Sequence, residues 1–322
     1  MERQSEVQAT EASPAAPVQA PAQSQSAVEL VLALQRSAGN AAVSRALIAR
    51  LQDTSVQGIY VPAAMTSDRS LRHERHDGVA FVRGAGEDAT GVDVSDIRQG
   101  AVGDCYFLSP LMAVARINPG LVRRLIRGPI GQTEIGADVY EVTLMVGAGG
   151  KPVTYRVDDR FVTGAAGDPQ YAQYGDMSAL GPELWVMLLE KAWAASKGSY
   201  QQIHFGQSAD GLRALTGKES TRHEIADRSD RQIMRDIRNA IDDGRPVTCS
   251  SVLTLSAAAL QRAQALGVTI TAQHAYNVSW ANRVNQTLDI MNPHGRNHLM
   301  GLSLADFKLF FRAYLTLDES VR

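Results

Sequence analysis

Amphipathic helices fill the middle of this 322-residue chain and alternating strands its last third, and that segregation constrains the fold most. A helix is predicted from Cys105 through Ile117, stopping at Asn118-Pro119-Gly120. Tyr140, Val142, Leu144 and Val146 alternate as a half-buried strand does, and Gly147 to Gly150 turn it toward Val153, Tyr155 and Val157. A longer helix follows, with Pro182 in its first turn, Trp185, Leu188, Leu189 and Trp193 on one face, and Gly198 as its stop. Ile233, Ile237 and Ile241 mark another, ending before Gly244. His274, Tyr276, Val278 and Trp280 then share one face of a strand, as do Leu288, Ile290 and Asn292 in the next. Helices first and strands later indicate an α+β protein with two lobes.

Composition narrows the function classes. Thirty-two Lys and Arg against 34 Asp and Glu give a net charge of −2, whereas a chain that grips phosphates needs a basic excess, so no nucleic-acid partner is expected. No apolar run reaches the ~20 residues of a membrane-spanning helix. Two cysteines, Cys105 and Cys249, exclude a disulfide scaffold and a Cys-rich zinc module. His73 with His76, and His294 with His298, have ligand-like spacing but no matching cysteine or carboxylate set, so no zinc is expected. Residues 1–26 are Ala, Gln, Ser and Pro with almost no large apolar side chain, and read as a disordered leader. Residues 27–57 read as a short helical hairpin, with Val43, Leu47 and Leu51 at four-residue spacing. The start lacks a basic region followed by an apolar core, so cytosolic synthesis is expected.

Four polar residues could build one site. Cys105 follows Gly103-Asp104 and opens an amphipathic helix, where the positive helix end is expected to lower its pKa. His274 begins one predicted strand and Asn292 ends the next, so antiparallel pairing would bring them together, the carboxamide holding the imidazole toward the thiol. Gln99 could aim its amide N–H where the Cys105 N–H points, as an oxyanion donor.

The segment from Gln99 to Leu108, QGAVGDCYFL, resembles the signature of calpain-type cysteine proteases, Gln-Gly-x-x-Gly-Asp-Cys-aromatic. The resemblance continues at Val157–Arg160, at Glu183-Leu184-Trp185 through Ala192, at Asp210–Leu212 with Leu215–Gly217, at His274–Tyr276 and at Asn292-Pro293-x-Gly295. Six blocks in register cover roughly residues 65 to 320. The resemblance implies a papain-like fold, a helical Cys lobe over 58–217 and a strand-rich His/Asn lobe over 218–322. In it Cys105 is the nucleophile, His274 the general base and acid, Asn292 the orienter and Gln99 an oxyanion donor, with Gly206 pairing with the substrate backbone. Gln273 stands where the family has Gly, placing a side chain beside the cleft. His294 stands where the family has a tryptophan wedge, and Tyr106 where it has Trp.

Carried over residue by residue, the family's calcium site in the Cys lobe falls on Asp96 and Glu183. The second falls on Arg296, Asn297 and His298, which supply no carboxylate and imply its loss. No cofactor is required by this reading, with one calcium ion the single candidate. LQRSAGNAAVSRAL, within the hairpin, resembles a short element near the start of bacterial effectors of extracellular contractile injection systems. It implies a loading tag, an injection-system component as partner, and delivery out of the cell by a route without a signal peptide. The expected activity is endopeptidase cleavage of protein substrates by a monomer. Deamidation or transglutamination at the same triad and a non-catalytic binding protein stay open beside it.

Overall fold

The computed structural model describes residues 59–60, 71–84 and 89–322; the leader expected at 1–26 and the hairpin expected at 27–57 lie outside them. Among the described residues, seven α-helices and several sheets surround two large apolar cores.

The first core draws on residues from Ala80 to Leu215. At its centre is helix α1 (Cys105–Ile117), buried without interruption from Cys105 to Ala115. Pro110 lies inside α1 and leaves the Tyr106 carbonyl without its i+4 donor. That face is covered by Gly211 of helix α4 (Ser208–Thr216), packed so closely that a Cβ there would stand 2.6 Å from the Tyr106 oxygen. Asn118 both stops α1 and starts helix α2 (Pro119–Leu125), its side-chain oxygen accepting the Leu121 N–H at 2.8 Å. The half expected to be helical also carries a sheet, in the order β1-β4-β3-β2. Its strands are β1 (Ile59–Tyr60), β2 (Ile126–Gln132), β3 (Asp138–Leu144) and β4 (Val153–Asp158), with only the β1–β4 pair parallel. Helix α3 (Trp185–Lys197) packs on β3 and β4. Pro182, expected in its first turn, instead sits in a two-residue ribbon where its carbonyl accepts the Val79 N–H at 3.0 Å, so the helix begins only at Trp185.

The second core runs from Ile225 to Tyr314. It lies on a six-stranded antiparallel sheet in the order β9-β8-β7-β6-β10-β5. The strands are β5 (Ser220–Glu224), β6 (Val247–Ser251), β7 (Ala275–Asn282), β8 (Thr287–Met291), β9 (Leu299–Ser303) and β10 (Phe311–Leu317). Helix α5 (Asp230–Asp242) starts at a capping box formed by Ser229 and Gln232 and buries Ile233, Met234, Ile237 and Ala240. Helices α6 (Ala257–Leu266) and α7 (Leu304–Phe310) complete this half. The expected alternation along β7 fails at a register shift between Val278 and Trp280. Ser279 is buried there, and Trp280 turns outward, where the Arg238 guanidinium lies 4.1 Å over its ring.

A small third cluster of Leu212, Leu315, Leu317 and Val321 joins elements of both halves. Helix α1 packs against β6 and β7, so its N-terminus faces the beginning of β7.

Candidate active site

Cys105 is the first residue of α1, and its sulfur accepts the Ala275 N–H at 3.4 Å. Ala275 opens β7, which puts His274 one residue before the strand, and Asn292 falls one residue past β8. The antiparallel register, with Asn277 opposite Met291, carries both to one end of the sheet. There His274 Nε2 lies 3.0 Å from Asn292 Oδ1. The same oxygen accepts the His294 backbone N–H at 3.0 Å, which identifies it as oxygen rather than the amide nitrogen. An acceptor on that side fixes the proton on Nε2 and leaves Nδ1 with its lone pair, the tautomer a base needs. Ser251 holds the backbone in place: its Oγ accepts the His274 N–H at 2.9 Å and donates to the Thr271 carbonyl at 2.8 Å.

The expected lowering of the thiol pKa is overturned. Cys105 is only 9% exposed, and burial pushes its thiol up to about 11, against the helix end and the donor at Ala275. Burial likewise brings His274 down to about 4, against the hydrogen bond to Asn292. Burial of both groups therefore favours the neutral thiol and the neutral imidazole across the physiological range. Beneath Cys105, the carboxyl groups of Asp104 and Glu190 are fully buried beside each other. Burial pushes Asp104 up to about 7 and Glu190, which also feels the Asp104 charge, well above its usual range, so Glu190 keeps its proton. Asp104 is the member of the pair that ionises first, and its charge adds to the upward push on the Cys105 thiol.

Gln99 donates its backbone N–H to Pro293 O at 2.8 Å, tying the loop before Cys105 to the Asn292 turn. Its Nε2 donates to Val102 O at 2.8 Å, which leaves the second amide N–H of that nitrogen for another acceptor. Gly206 lies flat on the Tyr106 ring, where a Cβ would come within 2.4 Å of ring carbon. Gln273 is exposed, with φ +52°, and its N–H donates to Val252 O at 3.0 Å.

Asp96 and Glu183 come together in the first core, both buried. Asp96 Oδ2 accepts the Asp93 N–H at 2.8 Å and the Trp185 Nε1–H at 3.1 Å; Glu183 accepts the Val82 N–H at 2.7 Å. Burial, together with Asp96, pushes Glu183 up to about 9. Gly175 roofs the pair, and a Cβ there would stand 2.2 Å from Glu183 Oε2 and 3.1 Å from the Asp96 Cβ. Two buried carboxylates under a side-chain-free roof fit a hard cation, although no group of three or more ligating side chains occurs among the described residues. In the other half, Asp306 is engaged by both arms of Arg262 at 2.6 and 2.9 Å.

Three features escape a reading of the sequence. The His294 ring stacks on His274 with centroids 4.6 Å apart and planes 3° from parallel, covering the His274–Asn292 bond. The Asp104–Glu190 pair joins residues 86 positions apart, whose charge gives no hint of burial. Phe205 holds φ +66° with its side chain exposed, a conformation that costs an L-residue about 1–2 kcal/mol.

Comparison with known proteins points the same way. Residues 85–303 match the family model described as calpain family cysteine protease. Calpain-13 of Rattus norvegicus is 27% identical over 213 residues, covering 64% of this chain and 30% of that protein. The calpain-2 catalytic subunit of Gallus gallus is 29% identical over 213 residues, covering 64% and 29%. The calpain-1 catalytic subunit of Sus scrofa is 29% identical over 206 residues, covering 63% and 27%. The chain thus spans under a third of the length of these relatives, over a stretch that includes Gln99, Cys105, His274 and Asn292 in the family match, and it belongs to the calpain family of cysteine proteases.

Proposed function

We propose that this chain hydrolyses peptide bonds by acyl transfer to Cys105. The observation that carries the reading is a single convergence. A sulfur at the head of α1 accepts the peptide N–H next to an imidazole, and that imidazole is itself held by a carboxamide 18 residues further on. In the reaction His274 takes the thiol proton through Nδ1 as sulfur attacks the carbonyl carbon. The Cys105 N–H and the second Gln99 amide N–H receive the oxyanion. His274 returns the proton to the leaving amine, then takes one from the water that releases the acyl group. Because burial favours the neutral pair, admission of water and substrate to the cleft is part of activation.

Asp96 and Glu183 would hold one calcium ion, whose charge would replace the proton that burial now retains on Glu183. The segment LQRSAGNAAVSRAL would serve as a loading tag for a contractile injection system, making the peptidase its passenger; its resemblance to such elements supports this. Deletion of residues 27–57 should then abolish co-purification with the particle and leave cleavage intact.

The test of the activity is mass-spectrometric mapping of cut sites in a mixed proteome, with and without calcium, against Cys105→Ser. New termini with the wild type alone are expected. Persistent cleavage by Cys105→Ser would refute the assignment.

A further inference from the structure

Four non-glycine residues among those described hold a left-handed backbone: Phe205 at φ +66°, Gln273 at +52°, Gln286 at +54° and Asn297 at +56°. Gln286 and Asn297 lie in the turns that lead into β8 and β9, where such values are routine. Phe205 and Gln273 flank the site instead, each immediately before a residue of the cleft, Gly206 and His274. For a bulky aromatic residue this conformation is an outlier, and outliers persist where the surrounding structure enforces them.

The enforcement at Phe205 is visible. Its N–H donates to Gly103 O at 2.9 Å, and the Gly103 N–H donates to His204 Nδ1 at 3.0 Å. Gly206 is pressed against Tyr106 on the far side of Cys105. The 204–206 loop is therefore fastened to the chain both before and after the nucleophile. The Phe205 ring meets the His204 ring edge-on at 4.2 Å and is otherwise 67% exposed. A strained backbone thus presents an apolar ring to solvent at the rim of the cleft, with no core behind it.

We propose that Phe205 is a specificity-determining residue, forming with His204 one wall of a subsite for a large aliphatic or aromatic side chain of the substrate. The inference rests on the peptidase reading above. The loop is tied to Gly103 and pressed on Tyr106, the residues that flank Cys105, so the substrate residue that meets this wall lies near the scissile bond.

Cleavage of a proteome-derived peptide library by the full chain tests it, comparing wild type with Phe205→Gly and Phe205→Tyr. The wild type should enrich large apolar residues at one position near the cut. Phe205→Gly should lose that enrichment and cut matched peptides about tenfold more slowly, with a smaller loss on peptides that lack the residue. Its Tm should stay within about 2 °C of the wild type or rise, because glycine accepts the left-handed backbone. Phe205→Tyr should keep the preference. A wild-type profile retained by Phe205→Gly would overturn the proposal with the peptidase reading intact. Absence of wild-type cleavage would instead remove that reading and the inference with it.

Discussion

The two halves of the molecule bury different things. The half around α1 encloses Asp96, Asp104, Glu141, Asp158, Asp159, Glu183, Glu190 and Lys191, whereas the half around β7 buries one carboxylate, Asp306, and otherwise apolar groups with a few neutral polar ones. The first half therefore depends on proton and cation balance, because an ionised carboxylate in an apolar interior must be paired or protonated. The second is an apolar sheet that presents His274 and Asn292 in fixed register. Cys105 belongs to the half rich in buried ionisable groups, and His274 and Asn292 to the half whose core is apolar.

The contrast can be broken most severely at Lys191. Its ammonium lies 2.5 Å from Asp158 Oδ1 and 2.6 Å from Arg160 O, fully enclosed. Lys191→Met should strand the Asp158 carboxylate and cost about 3–5 kcal/mol in denaturant unfolding. A loss below ~1 kcal/mol would mean that Asp158 finds water.

The acid pair of the same half gives the next effect. With a folded pKa of about 9, Glu183 retains a proton that the unfolded chain releases near 4.5. Its contribution to stability is complete below 4.5 and is lost as pH rises toward 9. At pH 8 without calcium, Glu183→Gln should therefore be more stable than wild type by roughly 2–3 kcal/mol, and calcium should raise the Tm of the wild type alone. Equal calcium shifts in both proteins would move the ion elsewhere.

In the other half the pH effect has the opposite sign. His274 stays neutral in the fold down to about 4, while the unfolded chain takes up a proton near 6.5. Stability is therefore lost as pH falls through that window. His274→Gln removes this dependence, so relative to wild type it should gain about 2 kcal/mol between pH 7.5 and pH 5. A constant difference across that range would mean that the ring is solvated. The smallest effect belongs to the apolar sheet: Ile290→Val should cost about 1 kcal/mol, equally at pH 5 and pH 8.

How much of this was legible follows from what hydrophobic periodicity records. Helix α1 was readable from its apolar run. So was the meeting of His274 with Asn292, because antiparallel neighbours bring the start of one strand to the end of the next. Strand β2 was not, since the residues after Ile126 are exposed along IRGPIGQ and show no alternation. Pro182 misled because a proline that suits a first turn equally suits a ribbon whose carbonyl is wanted elsewhere. Trp280 misled because a register shift leaves no trace in residue type. The direction of the Cys105 pKa was missed for a related reason. The helix end is written in the sequence, whereas the burial that outweighs it is a property of the packed cleft.

The central claim is that the sulfur and the imidazole act as one unit across the two halves. Cleavage rates of one peptide substrate by Cys105→Ala, His274→Ala and the double variant test it most directly. Each single change should lower kcat/KM by at least about 10⁴-fold, and the double variant should fall no further than Cys105→Ala alone. Losses that multiply in the double variant would contradict it.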